Sequence, residues 1–378
     1  SKVYLDFSYV GKSFRRDLNL GLNQNPFYKL FFILDQEINS KKFILEKNIS
    51  RIPDIKLGDS NFEKFLTKRI SIDIPVFLVE EFSKNLKLAN NFYQPQLIIS
   101  DNNHINNLIF KFWLAICQEN KTCIILSNHG GSITQSSLDY MGFEESISDT
   151  FITWTKPILN KHFQLPPLKY YKYKRNKKVN SKKLLSIVGV DTERYTYRCQ
   201  VGPKAGQIWL HHNQIIKLYN SLEIRYKKIT RIRPYTESGR GLSKIYEKKM
   251  GGKNVSRKGS FNDYIDQSSL VICTYPETTF SDCIARNIPA ILMYPESLWQ
   301  IHPKIKSLYE ILFDANLIFH DPIKLANHIN YIFSDLESWW NSETVRNAIK
   351  NYENEALNIK GDYLQDWISF IRTKALKL

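Results

Sequence analysis

Two threonines, Thr278 and Thr279, stand where an apolar run gives way to a helical one in SLVICTYPETTFSDCIARNIPAILMYP, residues 269–295. Glu277 precedes them and Asp282 follows. The stretch reads as a buried strand, a polar turn, a short helix, a proline and a second buried strand. In a parallel sheet, ligands bind beyond the carboxyl ends of strands, where the next helix begins. The first turn of such a helix offers free N–H groups and the positive end of its dipole, a natural seat for phosphate. Threonine hydroxyls add donors there without adding negative charge. Asp282 follows Thr279 at capping-box spacing, and could instead accept from a ribose hydroxyl. Two readings stay open at this point: Thr279 caps the helix with support from Asp282, or the threonines hold a phosphate.

Three further loops carry candidate chemistry. In ITRIRPYTESGRGLSK (229–244), Arg233, Tyr235, Arg240 and Lys244 follow a strand, and arginine forks suit phosphate or carboxylate. Glu237 sits among them, as a nucleophile or base if it faces a cleft and as an ion-pair partner otherwise. In SNHGGSITQSS (127–137), His129 comes directly after a strand. Gly130 and Gly131 would let the backbone approach a ligand closely. Histidine suits general-base work near neutral pH, and Asn128 and Ser132 could bind hydroxyls; a structural histidine in a tight turn is the alternative. In VGVDTERYTYRCQVGPKAGQ (188–207), Asp191, Arg194, Arg198 and Lys204 lie between a strand end and a helix. That loop is neither G-x-G-x-x-G nor a Walker motif. No G-x-S-x-G elbow exists, which disfavours a serine hydrolase despite the His-Gly-Gly. His211 and His212 are adjacent rather than four apart, and neither H-E-x-x-H nor D-x-D occurs, so no metal site is expected.

These loops need strands and helices to position them. QLIISD (96–101), TCIILSNHGG (122–131) and TFITW (150–154) read as strands, and HINNLIFKFWLAICQEN (104–120) has apolar residues at helical spacing. PVFLVEEF (75–82) fits either element. After a proline-containing, strongly basic break, the pattern restarts with KLLSIVGVD (183–191), GQIWLHHNQIIKLYNSL (206–222), KKITRIRPY (227–235) and the opening stretch. Helices close the chain, with Ser342 as a candidate N-cap. Strands alternating with helices predict an α/β fold with parallel sheets. The expected division is 1–165, a basic connection 166–183, a second α/β domain 184–345 and terminal helices 346–378.

The chain has 378 residues, is 43% hydrophobic and carries a net charge of +16. A sizeable core can therefore form, and the charge asks for an anionic partner. No run of about 18 apolar residues is present, so no membrane span is expected. The opening SKVYLDFSYVGKS lacks a signal-peptide core, and reads as a boundary with sequence missing upstream. The five cysteines are scattered without ligand spacing and read as reduced thiols in a cytoplasmic protein. Between Lys169 and Lys183 there are eight Lys or Arg residues and no acid. That run is a solvated linker, or it docks on an anionic membrane face; its tyrosines permit nucleic-acid stacking, but no nucleic-acid module surrounds them.

YPETTFSDCIARNIPAILMYPESLWQI, the following stretch to the paired Trp339-Trp340, and NHGGSI together resemble a family of GT-B glycosyltransferases of bacterial surface-carbohydrate (capsule and O-antigen) biosynthesis. The resemblance covers about residues 120–357 and is strongest from 228 onward. The chain departs from it at Trp154-Thr155-Lys156 and at 236–240. It implies two Rossmann-like domains facing a cleft, with the nucleotide sugar bound by the C-terminal one. By position, Thr278 and Thr279 would hold the donor phosphate, and Arg233 and Arg240 would offset its charge, with Tyr235 and Lys204 nearby. Glu277 or Asp282 would meet ribose or sugar hydroxyls. His129, with Asn128, Gly130, Gly131 and Ser132, would face the acceptor, and His129 or Glu237 would serve the chemistry. The resemblance also implies no metal or other cofactor, and a CMP-linked, Kdo-like or sialic-like donor. The acceptor would be a glycan or lipid-linked glycan at the inner membrane face. A two-domain sugar-nucleotide epimerase and a non-enzymatic basic surface-binding protein are the alternatives.

Overall fold

The computed structural model describes residues 3–8, 10–24, 57–130, 141–171, 175–176, 179, 184–192, 202–204, 206–235, 241–256, 259–359 and 361–376. The chain divides into two compact units, one of Ser1–Ser8, Asn19–Ile124 and Arg372–Leu378, the other of Tyr9–Leu18 and Ile125–Ile371. Ten strands are described, in two sheets. They are β1 (Val3–Asp6), β2 (Leu97–Ser100), β3 (Cys123–Ser127), β4 (Thr150–Thr153), β5 (His162–Gln164), β6 (Leu185–Val188), β7 (Thr230–Arg233), β8 (Leu270–Cys273), β9 (Ala290–Met293) and β10 (Ile318–Phe319). The sheet orders are β1-β2-β3-β4-β5 and β10-β9-β8-β6-β7. The α/β expectation is met: the described pairings in both sheets are parallel.

In the first unit, β1 pairs with β2 from Val3↔Leu97 to Asp6↔Ser100. The sequence under-read this edge, because four residues of VYLD carry little periodic signal. Helix Leu108–Glu119 buries Ile109, Phe110, Phe112 and Trp113, and Asn107 caps it by accepting from Phe110 N at 2.9 Å. The ambiguous stretch 75–82 is helical, as Val76–Val79 and the start of Phe82–Asn90.

In the second unit, the central strands of the second sheet are continuously buried, as LSIV, LVIC and AILM. Helices cover both faces of such a sheet, so its strands lose the polar alternation of a one-sided one. Edge strand β7 keeps it: Thr230 and Ile232 are buried, while Arg231 and Arg233 are half-buried. Arg231 lies over the Tyr264 ring, 4.4 Å from its centroid. Ser342 occupies an N-cap position, but its side chain makes no cap bond.

The end of the first domain and part of the basic connection after it are folded. His162–Gln164 is a strand, and Leu168 and Tyr170 are buried in a short 3-10 turn. The Tyr170 ring packs 5.6 Å from that of Trp154. Of the run 169–183, the cations Lys169 and Arg175 are described, and both are engaged internally. Lys169 pairs with Asp282 at 2.8 Å and Arg175 with Glu353 at 2.6 Å. Neither is a free surface charge, as a docking patch would require.

Candidate functional site

The order β10-β9-β8-β6-β7 fixes where a ligand can sit. From β6 the chain moves outward to β7, then crosses back to β8 on the other side of β6. The crevice between the carboxyl ends of β6 and β8 is therefore the topological switch point, where open parallel sheets take ligands. Thr274 closes its floor. Its hydroxyl donates to the Val188 carbonyl at 2.8 Å, and its N–H meets the same oxygen at 3.3 Å.

Helix Thr278–Arg286 begins just beyond. Its N-cap is Glu277, in extended conformation and without a side-chain cap bond. Thr278 and Thr279 occupy the first two helical positions, so the reading of Thr279 as the cap is corrected. The Thr279 hydroxyl shares a 2.8 Å hydrogen bond with Tyr275 Oη and is buried. Thr278 is half-buried. The N–H groups of this first turn thus carry no side-chain cap, while hydroxyls stand beside them.

The strand end before His129 meets this helix start. A Cβ at Gly130 would stand 2.9 Å from Thr278 Oγ1, nearer than such atoms pack. Glycine is what lets the loop approach. Asn128 is buried, and its Oδ1 accepts from Gly130 N at 2.9 Å, so its side chain shapes the turn rather than offering itself to a hydroxyl. His129 is half-buried beside it. Gly131, Ser132, Glu237 and Arg240 lie outside the described residues.

The remaining expected residues fall in different places. Asp282 is buried and its carboxylate takes Lys169 Nζ at 2.8 Å, so it is an internal ion pair rather than a group presented to ribose. Burial raises its pKa and Lys169 opposes the rise. Arg233 Nη2 donates to the Gly259 carbonyl at 3.0 Å, with its guanidinium 5.7 Å from the Tyr264 centroid. Tyr235 and Lys204 are exposed. Glu277 is half-buried.

One cluster escaped the sequence reading. His211 and His212, in helix Gln207–Ser221, are both buried beneath the switch point. His211 Nε2 lies 3.3 Å from Thr274 Oγ1, and burial, aided by His212, pushes its pKa down to about 3. It is therefore neutral. His212 Nδ1 lies 2.6 Å from Tyr246 Oη, and its Nε2 is 3.9 Å from Asp191 Oδ1. Adjacent histidines within an otherwise amphipathic helix were the available signal, but as a metal motif they had the wrong spacing. Among the described residues, no group of three His, Cys, Asp or Glu is arranged to hold a metal ion.

The first unit has its own polar cluster at the ends of β1 and β2. Asp6 accepts from Ser100 Oγ at 2.9 Å and from Asn103 Nδ2 at 2.8 Å. Asp101 accepts from Ser8 N at 2.9 Å. Burial, with Asp6 adding repulsion, pushes Asp101 up to about 6.

The sequence matches the LIC12162 family transferase profile over residues 2–371. The chain belongs to that family, and its class is that of a transferase. No match was found among curated proteins. Among solved structures, the chain is similar to MnaA of S. aureus with UDP, at TM-score 0.49 and 10% identity, over 100% of this chain and 98% of that one. HepE of Anabaena in complex with UDP gives TM-score 0.47 and 10% identity, over 98% and 99%. WaaG, a glycosyltransferase involved in lipopolysaccharide biosynthesis, gives 0.39 and 8%, over 97% and 98%.

Proposed function

We propose that the chain is a glycosyltransferase that takes its sugar from a nucleotide donor, with the donor phosphate seated on the first turn of helix Thr278–Arg286. The observation that carries this reading is the helix start at the switch point, free of a side-chain cap and met by Gly130 at Thr278. In the transfer, the bond from the anomeric carbon to the phosphate oxygen breaks and the nucleotide leaves with the electron pair. First-turn N–H groups and the Thr278 hydroxyl stabilise the charge that gathers on that phosphate. Arg233, and Arg240 in the segment after it, add positive charge. His129 stands beside this turn as the group to take the acceptor's proton, with Glu237 the other candidate for the chemistry.

The finer reading follows the chain's charge. A CMP-linked ulosonic acid brings a carboxylate as well as a phosphate, which suits a chain of net charge +16. The acceptor is a surface glycan or its lipid-linked precursor, and the undescribed cations of 172–183 would hold the enzyme at an anionic inner membrane face. Among the described residues, no helix is long and apolar enough to cross a membrane. The transfer needs no metal in this reading, because the helix turn and arginines supply the positive charge.

Thermal-shift titration with CMP, UDP and GDP, followed by turnover of their sugars with and without chelator, tests the proposal. Stabilisation by one nucleotide and release of that nucleotide only with acceptor present is the expected result. No shift with any nucleotide would overturn it. Conversion of a donor sugar without acceptor would mark an epimerase instead.

A further inference from the structure

The second sheet carries another concavity, past β8 from the crevice between β6 and β8. At the carboxyl ends of β9 and β10 the chain shapes a cavity of about 570 Å³. Tyr294, Trp299 and Tyr309 form buried walls and Phe313 is half-exposed at 50%. The rings are set at varied angles: Tyr294 and Trp299 meet edge to face at 80°, while Phe313 and His320 are stacked within 18°. Glu296, Glu310 and Asp314 line the same cavity and are exposed, against one ammonium, Lys306. Lys306 Nζ lies 3.8 Å from Glu310 Oε1.

We infer that this cavity is a binding site for a neutral pyranose ring, distinct from the seat of the donor phosphate. Aromatic faces carry negative charge density and attract the polarised C–H groups on one face of a sugar. Carboxylates are acceptors only, and suit the outward hydroxyls of that ring. Three carboxylates against one ammonium repel phosphates and acidic sugars, so the cavity selects against the anionic ligands that the helix turn favours. Its size matches small-molecule sites and exceeds what an ammonium head group needs. Trp299 ties it to the rest of the sheet end. Its ring lies 5.1 Å from that of His211, and a Cβ at Gly202 would stand 2.9 Å from its Nε1.

The inference does not depend on the donor reading, and the test separates them. Methyl glucoside, methyl galactoside and N-acetylglucosamine are titrated into the full chain by saturation-transfer NMR, alongside N-acetylneuraminic acid, choline and CMP. Saturable binding of at least one neutral sugar is expected. Phe313→Ala should weaken it about tenfold, and so should Glu310→Gln with Asp314→Asn. CMP binding should stay unchanged in both variants. These residues are exposed enough that the variants fold, which their circular dichroism checks. Binding of no neutral sugar, binding that both variants leave intact, or preference for N-acetylneuraminic acid or choline overturns the inference.

Discussion

The carboxyl ends of β2 and β8 solve opposite electrostatic problems. Each is a buried strand running into a helix within a parallel sheet. At the β2 end stand two buried carboxyls, Asp6 at the end of β1 and Asp101 just past β2, which receive amide and hydroxyl donors. Against those donors, burial still pushes the Asp101 pKa up to about 6. Beyond β8 stand the helix-turn amides, the threonine hydroxyls and the half-buried Glu277 carboxylate, and the buried acid Asp282 is paired with Lys169. One end raises the pKa of a buried acid, and the other sets the helix-turn donors beside half-buried Glu277. A phosphate suits the second and is repelled by the first. The difference rests on what governs each acid: Lys169 pairs with Asp282, whereas burial dominates at Asp101.

Removing the cation breaks the contrast most strongly. Lys169→Ala leaves the Asp282 carboxylate buried at 3% side-chain exposure, and should cost about 3–5 kcal/mol in urea unfolding. Asp282→Asn should cost less, because Lys169 is partly solvated at 23%. Equal losses would show that the pair is not the point of strain. At the β2 end removing the carboxylate should stabilise rather than cost. Asp101 has its folded pKa raised above the ordinary 3.8 to about 6, so the folded state binds the proton more tightly than the unfolded one. Its contribution to stability is fully present below pH 3.8 and is lost as pH rises through 6. Asp101→Asn should remove that slope and add about 3 kcal/mol at pH 7, measured by unfolding across pH 3–8. An unchanged slope would assign the titration to another group.

The two threonines sharpen the β8 end. Thr278→Val should lower nucleotide affinity about tenfold, close to 1.4 kcal/mol, and leave the melting temperature nearly unchanged. Thr279→Val loses the bond to Tyr275, so it should cost about 1 kcal/mol of stability and leave affinity alone. The reverse pattern would exchange their roles. Calorimetric titration beside thermal melts distinguishes these outcomes.

Most strands were legible because continuous apolar runs of four or five residues, bounded by turns, have few other fates in a chain this size. LVIC and AILM are cases. The short edge strands β1, β5 and β10 were not, since two to four residues carry no period. The helix start was legible: Thr278 and Thr279 do open a helix that follows β8. Partners were not, because Lys169 and Asp282 lie 113 residues apart and only the fold brings them together. The same holds for Asn287 in the Asn-Ile-Pro stretch. It ends the threonine helix in the left-handed region at φ 56°, and its Oδ1 accepts from Trp340 Nε1 at 3.1 Å and from Arg346 Nη1 at 3.0 Å. Asn287 is thus a helix terminator bound to Trp340 and Arg346, a role that its place in the sequence did not show.

The smallest effect tests whether the uncapped helix start is special. Helix Phe261–Asp266, just before β8, begins with a full capping box. Ser260 Oγ accepts from Asp263 N at 3.1 Å, and the Asp263 carboxylate accepts in return from the Ser260 N–H and hydroxyl. Helix Thr278–Arg286 has Phe280 at the matching third position, which cannot close such a box. If capping is what a helix start in this unit needs for stability alone, Ser260→Ala should cost about 1 kcal/mol and leave nucleotide affinity untouched. The helix after β8 carries no such bond to lose, so its stability must come from packing of Phe280, Cys283 and Ile284, which are all buried. A Ser260→Ala variant that weakens nucleotide binding as much as Thr278→Val would mean that the two helix starts act as one unit. A stability loss without a binding loss would leave the β8 end as the one whose donors are kept for a ligand.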